Sequence, residues 1–156
     1  MSRFPDSIDR KILSLLEQNA RISNAELADK VNLSPTPCLR RLRKLESSGL
    51  IRGYGAVLDA KALGLHTSAL VFVNLEKNTR ENAERFEEAL KLLPEVMECF
   101  LVAGRHDYVL RIVTRDLDDY ERFIKEHLAV LDKIADLESI IILKQTLDRR
   151  HLPLPH

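Results

Sequence analysis

Ser23-Asn24-Ala25-Glu26-Leu27-Ala28-Asp29-Lys30-Val31-Asn32-Leu33-Ser34-Pro35-Thr36-Pro37-Cys38-Leu39-Arg40-Arg41-Leu42-Arg43-Lys44-Leu45 is the most informative stretch of this 156-residue chain. Ser23 and Glu26 have the spacing of a capping box, in which serine hydroxyl and glutamate carboxylate each satisfy the other's backbone donor. A short helix, Asn24–Val31, follows, with Leu27, Ala28 and Val31 on one side, and Asn32 ends it. Ser34-Pro35 opens a second helix, Pro35–Ser48. Serine is its N-cap, and proline takes the first helical position, where the missing N–H costs nothing. Cys38, Leu42 and Leu45 form its apolar stripe, and Gly49 stands where a left-handed C′ residue ends a helix. The turn between the two helices is Asn32-Leu33-Ser34, which is helix-turn-helix spacing.

At about 100° per residue, Thr36, Arg40, Arg43 and Lys44 fall opposite the apolar stripe. A solvated face normally mixes signs, but Glu46 is the one acid beside Arg40, Arg41, Arg43 and Lys44. Three cations and a hydroxyl on a protruding face suit the major groove of DNA, and free N–H groups at the helix start suit a phosphate. Arg40 and Arg43 are the candidates for base edges or nearby phosphates, and Ser34 and Thr36 for phosphate or a thymine methyl.

Working outward, Ile8, Ile12, Leu15 and Leu16 mark an amphipathic helix from about Asp6 to Asn19. Leu50 to Leu58 reads as a short strand or pair of strands interrupted by Gly53 and Gly55. Residues 1–56 carry ten Lys/Arg against six Asp/Glu, a net +4. Residues 57–156 carry fourteen against eighteen, a net −4, so the neutral total hides two modules with different partners. Asp59 to His66 reads as the connection, with one helical turn ending at Gly64.

The second half reads strand, helix, strand, strand, helix, strand. The strands are expected near Thr67–Leu75, Val96–Ala103, Tyr108–Thr114 and Ser139–Leu147. The first helix, Thr79–Leu93, places Ala83, Phe86, Leu90 and Leu93 inward. The second starts at Asp116 and places Leu117, Tyr120, Ile124, Leu128 and Leu131 on one face. This order predicts a ferredoxin-like sheet with both helices on one side, and hence an α+β chain. Its open face carries apolar residues such as Val71 or Phe72, which a second copy is expected to cover. The tail, Leu152 to His156, is expected to be irregular.

Other function classes find little support. No apolar run exceeds five residues, as in Ala69–Val73, where a membrane-spanning helix needs about 18 or more. Cys38 and Cys99 make no disulfide framework, and no signal core precedes the first helix, so a cytoplasmic protein is expected. No histidine or cysteine pair has metal-ligand spacing, and no phosphate loop, dinucleotide fingerprint or nucleophile elbow occurs. Neither catalysis nor a cofactor is expected. Gly104-Arg105-His106-Asp107 between two strands admits two readings. One is a plain turn, the commoner use of such residues. The other is a cradle in which backbone N–H groups take the carboxylate of a small zwitterion and Asp107 takes its ammonium.

Asp9-Arg10-Lys11-Ile12-Leu13, Ala20-Arg21-Ile22, Leu33-Ser34-Pro35-Thr36-Pro37-Cys38, Gly49-Leu50-Ile51-Arg52-Gly53-Tyr54, Glu98-Cys99-Phe100-Leu101-Val102-Ala103-Gly104 and Asp107-Tyr108-Val109-Leu110 together resemble the Lrp/AsnC, or feast/famine, regulators. The resemblance runs from about Asp6 to Leu147. It implies a winged helix-turn-helix domain over residues 1–58, a linker over 59–66, a ferredoxin-like effector and oligomerisation domain over 67–147 and a tail over 148–156. It implies a transcription regulator that binds double-stranded DNA, forms homodimers assembling to octamers, and takes an amino acid between effector domains. The DNA-contacting set is then Ser34, Thr36, Pro37, Arg40, Arg41, Arg43 and Lys44. The effector set is Leu101, Gly104, Arg105, His106, Asp107, Leu117, Ile140, Ile141 and Ile142. Arg105 and His106 stand where leucine-responsive relatives often carry acidic or aromatic residues, so the amino acid itself stays open. A second reading is an amino-acid-sensing subunit that regulates an enzyme without working DNA binding, against which the basic helix face argues.

Overall fold

Asp6 caps the first helix by accepting the Asp9 N–H, and α1 runs Ser7–Gln18. The Ser23/Glu26 capping box is complete and opens α2, Asn24–Lys30. Asn32 then takes a left-handed backbone (φ 56°) that turns the chain into α3, Pro35–Ser47. Gly49 follows at φ 76°, the C′ conformation expected of it. The structure, a computed structural model, describes residues 5–149 and 152–153. The remainder of the tail expectation lies outside the described residues.

Ile12, Leu27, Ala28, Cys38 and Leu45 are all but inaccessible and form the core between the three helices. Each fully buried Ile or Leu there contributes about 1.5–3 kcal/mol. The expected strands within Leu50–Leu58 do not form. The segment instead folds back on α3: the Ile51 N–H donates to the Leu45 carbonyl and the Tyr54 hydroxyl to Glu46 Oε1 at 2.9 Å. A strand exists only through a ladder partner, and the chain supplies none here; Gly53 and Gly55 further weaken an extended preference.

The second unit is a four-stranded sheet in the order β2-β3-β1-β4. Its strands are β1 (Thr67–Leu75), β2 (Val96–Leu101), β3 (Tyr108–Thr114) and β4 (Ile134–Ile141). All three pairings are antiparallel. Helix α4 (Arg80–Leu90), capped by Thr79, links β1 to β2, and α5 (Leu117–Phe123) leads from β3 towards β4. This is the ferredoxin-like βαββαβ order. Ala69, Val71, Val73, Tyr108, Leu110 and Ile112 alternate along β1 and β3 and pack under Phe86, Leu90, Tyr120, Phe123 and Leu128.

Two expectations are corrected. The last strand covers Ile134–Ile141, not Ser139–Leu147, because its register is set by β1, from Leu75↔Ile134 to Ala69↔Ile141. Lys133, at φ 68°, makes the turn that starts it early. The second helix loses its regular phase at a π-helical turn, Ile124–Leu128, closed by the Ala129 N–H on the Ile124 carbonyl. Tyr120, Phe123 and Leu128 are buried and Ile124 and Leu131 pack beside them, as expected apart from Phe123, whereas Leu117 is 58% exposed. The described residues up to Val57 and from Leu147 onward form one compact unit, and Leu58–Thr146 the other.

Candidate functional site

Thr36, Arg40, Arg43 and Lys44 are all exposed along α3, on the side away from buried Cys38 and Leu45. Among the described residues, no ion pair engages Arg40, Arg43 or Lys44. Ser34 is the N-cap residue, but its hydroxyl makes no capping hydrogen bond. Pro37 is half-buried at the flank of the same face. The Asn24 side chain donates to the Pro35 carbonyl at 3.0 Å and so ties the start of α2 to the start of α3. Glu46, the one acid on the helix, receives the Tyr54 hydroxyl. Burial, and then the Glu46 carboxylate, push that phenol up to about 12.

Arg41 does not belong to this face. Its guanidinium meets Asp6 Oδ2 and Asp9 Oδ1, each at 2.7 Å, and so braces α3 against α1. Asp9 is 8% exposed, so the pair satisfies a buried carboxylate. On the helix projection Arg41 falls about 100° from Arg40, towards the buried side. The carboxyl of Asp6 is held below its ordinary value, first by the Asp9 N–H and then by Arg41.

The Gly104–Asp107 turn lies at the Leu75 end of β1. Asp107 is committed within the chain: Oδ2 accepts the Leu75 N–H at 2.9 Å and Oδ1 the Asn78 side-chain amide at 2.7 Å. The Asp107 N–H donates to the Val73 carbonyl and to Asn74 Oδ1. The carboxylate therefore acts first as a brace of the turn, and its remaining lone pairs are what a cation can use. Gly104 has no positive φ, so its backbone needs no glycine for conformation, and a Cβ there meets no atom within 4 Å. Arg105 is exposed. His106 packs on Phe72, ring centroids 5.0 Å apart, with Nε2 3.5 Å from Glu138 Oε2. Its buried Nδ1 has no hydrogen-bond partner.

One chain does not bring the effector set together. Leu101 lies level with Tyr108 and Val73, beside the turn. Ile141 lies level with Ala69 and Ile112, on the opposite outer strand. Three strand spacings and four residues of rise separate them by roughly 20 Å. Leu117, just beyond Thr114, belongs to the Ile141 end. Strand alternation also divides the isoleucines: Ile140 joins Leu70 on the open face, and Ile141 points to the helix side.

The open face presents Leu70, Phe72, Phe100, Val109, Val113 and Ile140. Phe100 and Ile140 are 51% and 47% exposed. Asp6, Asp9, Asn74, Asn78 and Glu138 are the contributors that sequence reading passed over. The polar cluster Asn74…Asn78 is visible as a turn signal, but its match to Asp107 arises only when β1 and β3 pair.

Among the described residues no helix is long and apolar enough to cross a membrane, and no group of three metal-ligating side chains occurs. Residues 5–52 match a winged helix-turn-helix DNA-binding family, and residues 68–152 match the Lrp/AsnC ligand binding domain. The chain is 43% identical over 149 residues to the Bkd operon transcriptional regulator of Pseudomonas aeruginosa, covering 96% of this chain and 97% of that one. It is 38% identical over 140 residues to the leucine-responsive regulatory protein of Escherichia coli, covering 90% and 85%. A transcriptional regulator from Neisseria meningitidis, solved with L-Met, superposes with a TM-score of 0.91 at 35% identity, over 96% of this chain and 97% of that one. A helix-turn-helix with an exposed basic third helix, a ferredoxin-like ligand-binding domain and relatives of near-equal length converge: the chain belongs to the Lrp/AsnC family of DNA-binding, amino-acid-sensing transcriptional regulators.

Proposed function

We propose that α3 reads a specific operator in double-stranded DNA through Thr36, Arg40, Arg43 and Lys44, with Ser34 and Pro37 placed beside the backbone. The observation that carries this is a one-sign face: three exposed cations without acidic partners, on a helix whose opposite side is core. Arg41 serves the scaffold and drops out of the contacting set.

The second domain pairs copies through the open sheet face, and the dimers assemble further, towards octamers. Assembly completes an effector site, because the turn at 104–107 with Leu101 and the patch of Leu117, Ile140, Ile141 and Ile142 lie at opposite ends of one sheet. The apolar character of that patch favours an apolar amino acid. Relatives named leucine-responsive, and one solved with L-Met, support this choice. The chain regulates rather than catalyses, and works in the cytoplasm. An enzyme-regulating subunit without DNA binding fits less well, since it leaves the basic face of α3 unused.

A mobility-shift titration on the gene's own upstream DNA, with and without L-leucine or L-methionine, is the test. Specific binding that either amino acid alters is the expected result. No preference for any fragment over bulk DNA overturns the reader, and no response to any of the twenty amino acids overturns the sensor. The coupling is reciprocal, so an amino acid that weakens DNA binding binds less tightly to the DNA complex.

A further inference from the structure

A second cavity among the described residues shares only Leu101 with the site above. It is a groove of about 450 Å³ between α4 and the edge strand β2, within the usual range of small-ligand sites. Leu90, Val96 and Leu101 give it an apolar wall, and Cys99 and Tyr108 lie within it. Glu87 and Lys91 flank it. They are one helical turn apart, the spacing of a helix ion pair, yet they do not pair with each other. The Tyr108 hydroxyl, on a side chain that is 1% exposed, donates to Glu87 Oε1 at 2.9 Å and holds that carboxylate beside the groove. Lys91 instead meets Glu88 at 2.5 Å, where both side chains are about two-thirds exposed. A pair in that much solvent is worth little, so the ammonium can turn to another anion at small cost. Glu98, the other acid in the lining, is taken by Arg111.

We infer that this groove is a second binding site, for a zwitterionic amino acid with an apolar side chain. Glu87 takes its ammonium, Lys91 its carboxylate, and the wall of Leu90, Val96 and Leu101 its side chain. A neutral apolar ligand leaves the charged pair unused, and an anion or cation alone leaves one member unmatched. The site goes beyond the effector site proposed above and uses neither Asp107 nor the patch at Ile140–Ile142.

Cys99 supplies a local reporter, since the other thiol, Cys38, is buried. The full-length protein is treated with a maleimide at alkaline pH, with L-leucine as the probe. N-acetyl-L-leucine and L-leucinamide each lack one charge. At ten times its Kd, L-leucine should slow Cys99 modification about elevenfold by mass action. Each analogue should protect at least about tenfold less well, having lost a charge-assisted hydrogen bond. Glu87→Gln keeps an oxygen for Tyr108 and Lys91→Gln sits on the surface, so both variants should fold and both should lose protection. Asp107→Asn should keep it.

Four results overturn the second site. One is no protection by L-leucine, and another is equal protection in Lys91→Gln. A third is protection lost in Asp107→Asn alone, which assigns the effect to the turn. The fourth is protection that grows with protein concentration without leucine, which means another copy covers the groove. The effector site has its own measure, the amino-acid response of DNA binding in Asp107→Asn, so either site can fail without the other.

Discussion

Two arginines one residue apart do different work on α3. Arg40 is exposed and unpaired among the described residues, so Arg40→Ala should weaken operator binding by about 1–3 kcal/mol and relax one base position, with the thermal melt unchanged; quantitative footprinting checks both parts. Arg41 is held by two aspartates, so Arg41→Ala should lower stability instead, leaving Asp9 buried without its counter-charge. The pH dependence follows in sign. The Asp6 carboxyl is lowered from 3.8 in the folded chain, so its contribution is complete above that value and fades as the pH falls below it. Urea unfolding of the wild type between pH 5 and pH 2 should show this loss, and Arg41→Ala should flatten it. Asp107 is a third case. Asp107→Ala strips the acceptor from the Leu75 N–H and should cost about 1–3 kcal/mol in urea unfolding. Asp107→Asn keeps an oxygen there and should cost less, so it is the cleaner probe of the charge itself.

Among the elements, helix starts follow local chemistry closely. Asp6, Ser23, Thr79 and Asp116 all accept a backbone N–H in the first turn, as short polar residues before an apolar period should. The end of α3 rests on Gly49 at φ 76°, where a Cβ meets no atom within 4 Å, so the penalty for a side chain is purely conformational. Gly49→Ala should cost about 1–2 kcal/mol, whereas Gly53→Ala, with ordinary φ and open space, should cost far less; paired denaturation curves separate them. The π-helical turn at Ile124–Leu128 leaves the predicted face largely in place: Tyr120, Ile124, Leu128 and Leu131 all pack on the core, and Leu117 in the first turn is the one member that does not. Leu117 ends in solvent and Phe123 takes its place inside.

For the whole molecule, the open sheet face is the feature that one copy leaves unfinished. Phe100 sits on it at 51% exposure, and Phe100→Glu should reduce self-association of the full chain to monomer at micromolar concentration while the monomer stays folded; light scattering with circular dichroism decides it. An unchanged assembly would move the pairing surface elsewhere. Fold class, the element order of the second unit, the positions of the helix starts and the basic face of α3 were legible in the sequence. Each is written in contacts between residues a few positions apart, through caps and periodicity. The tertiary structure alone decided the rest. It took Arg41 from the exposed basic face of α3 because Asp6 and Asp9, more than thirty positions away, reach it. It occupied Asp107 through Leu75 and Asn78, and moved β4 to Ile134–Ile141 by its register on β1. It also set Leu101 and Ile141 at opposite corners of the sheet. Pairing across long separations depends on which surfaces meet once the core has closed, and a residue's own neighbours in the chain carry no record of that.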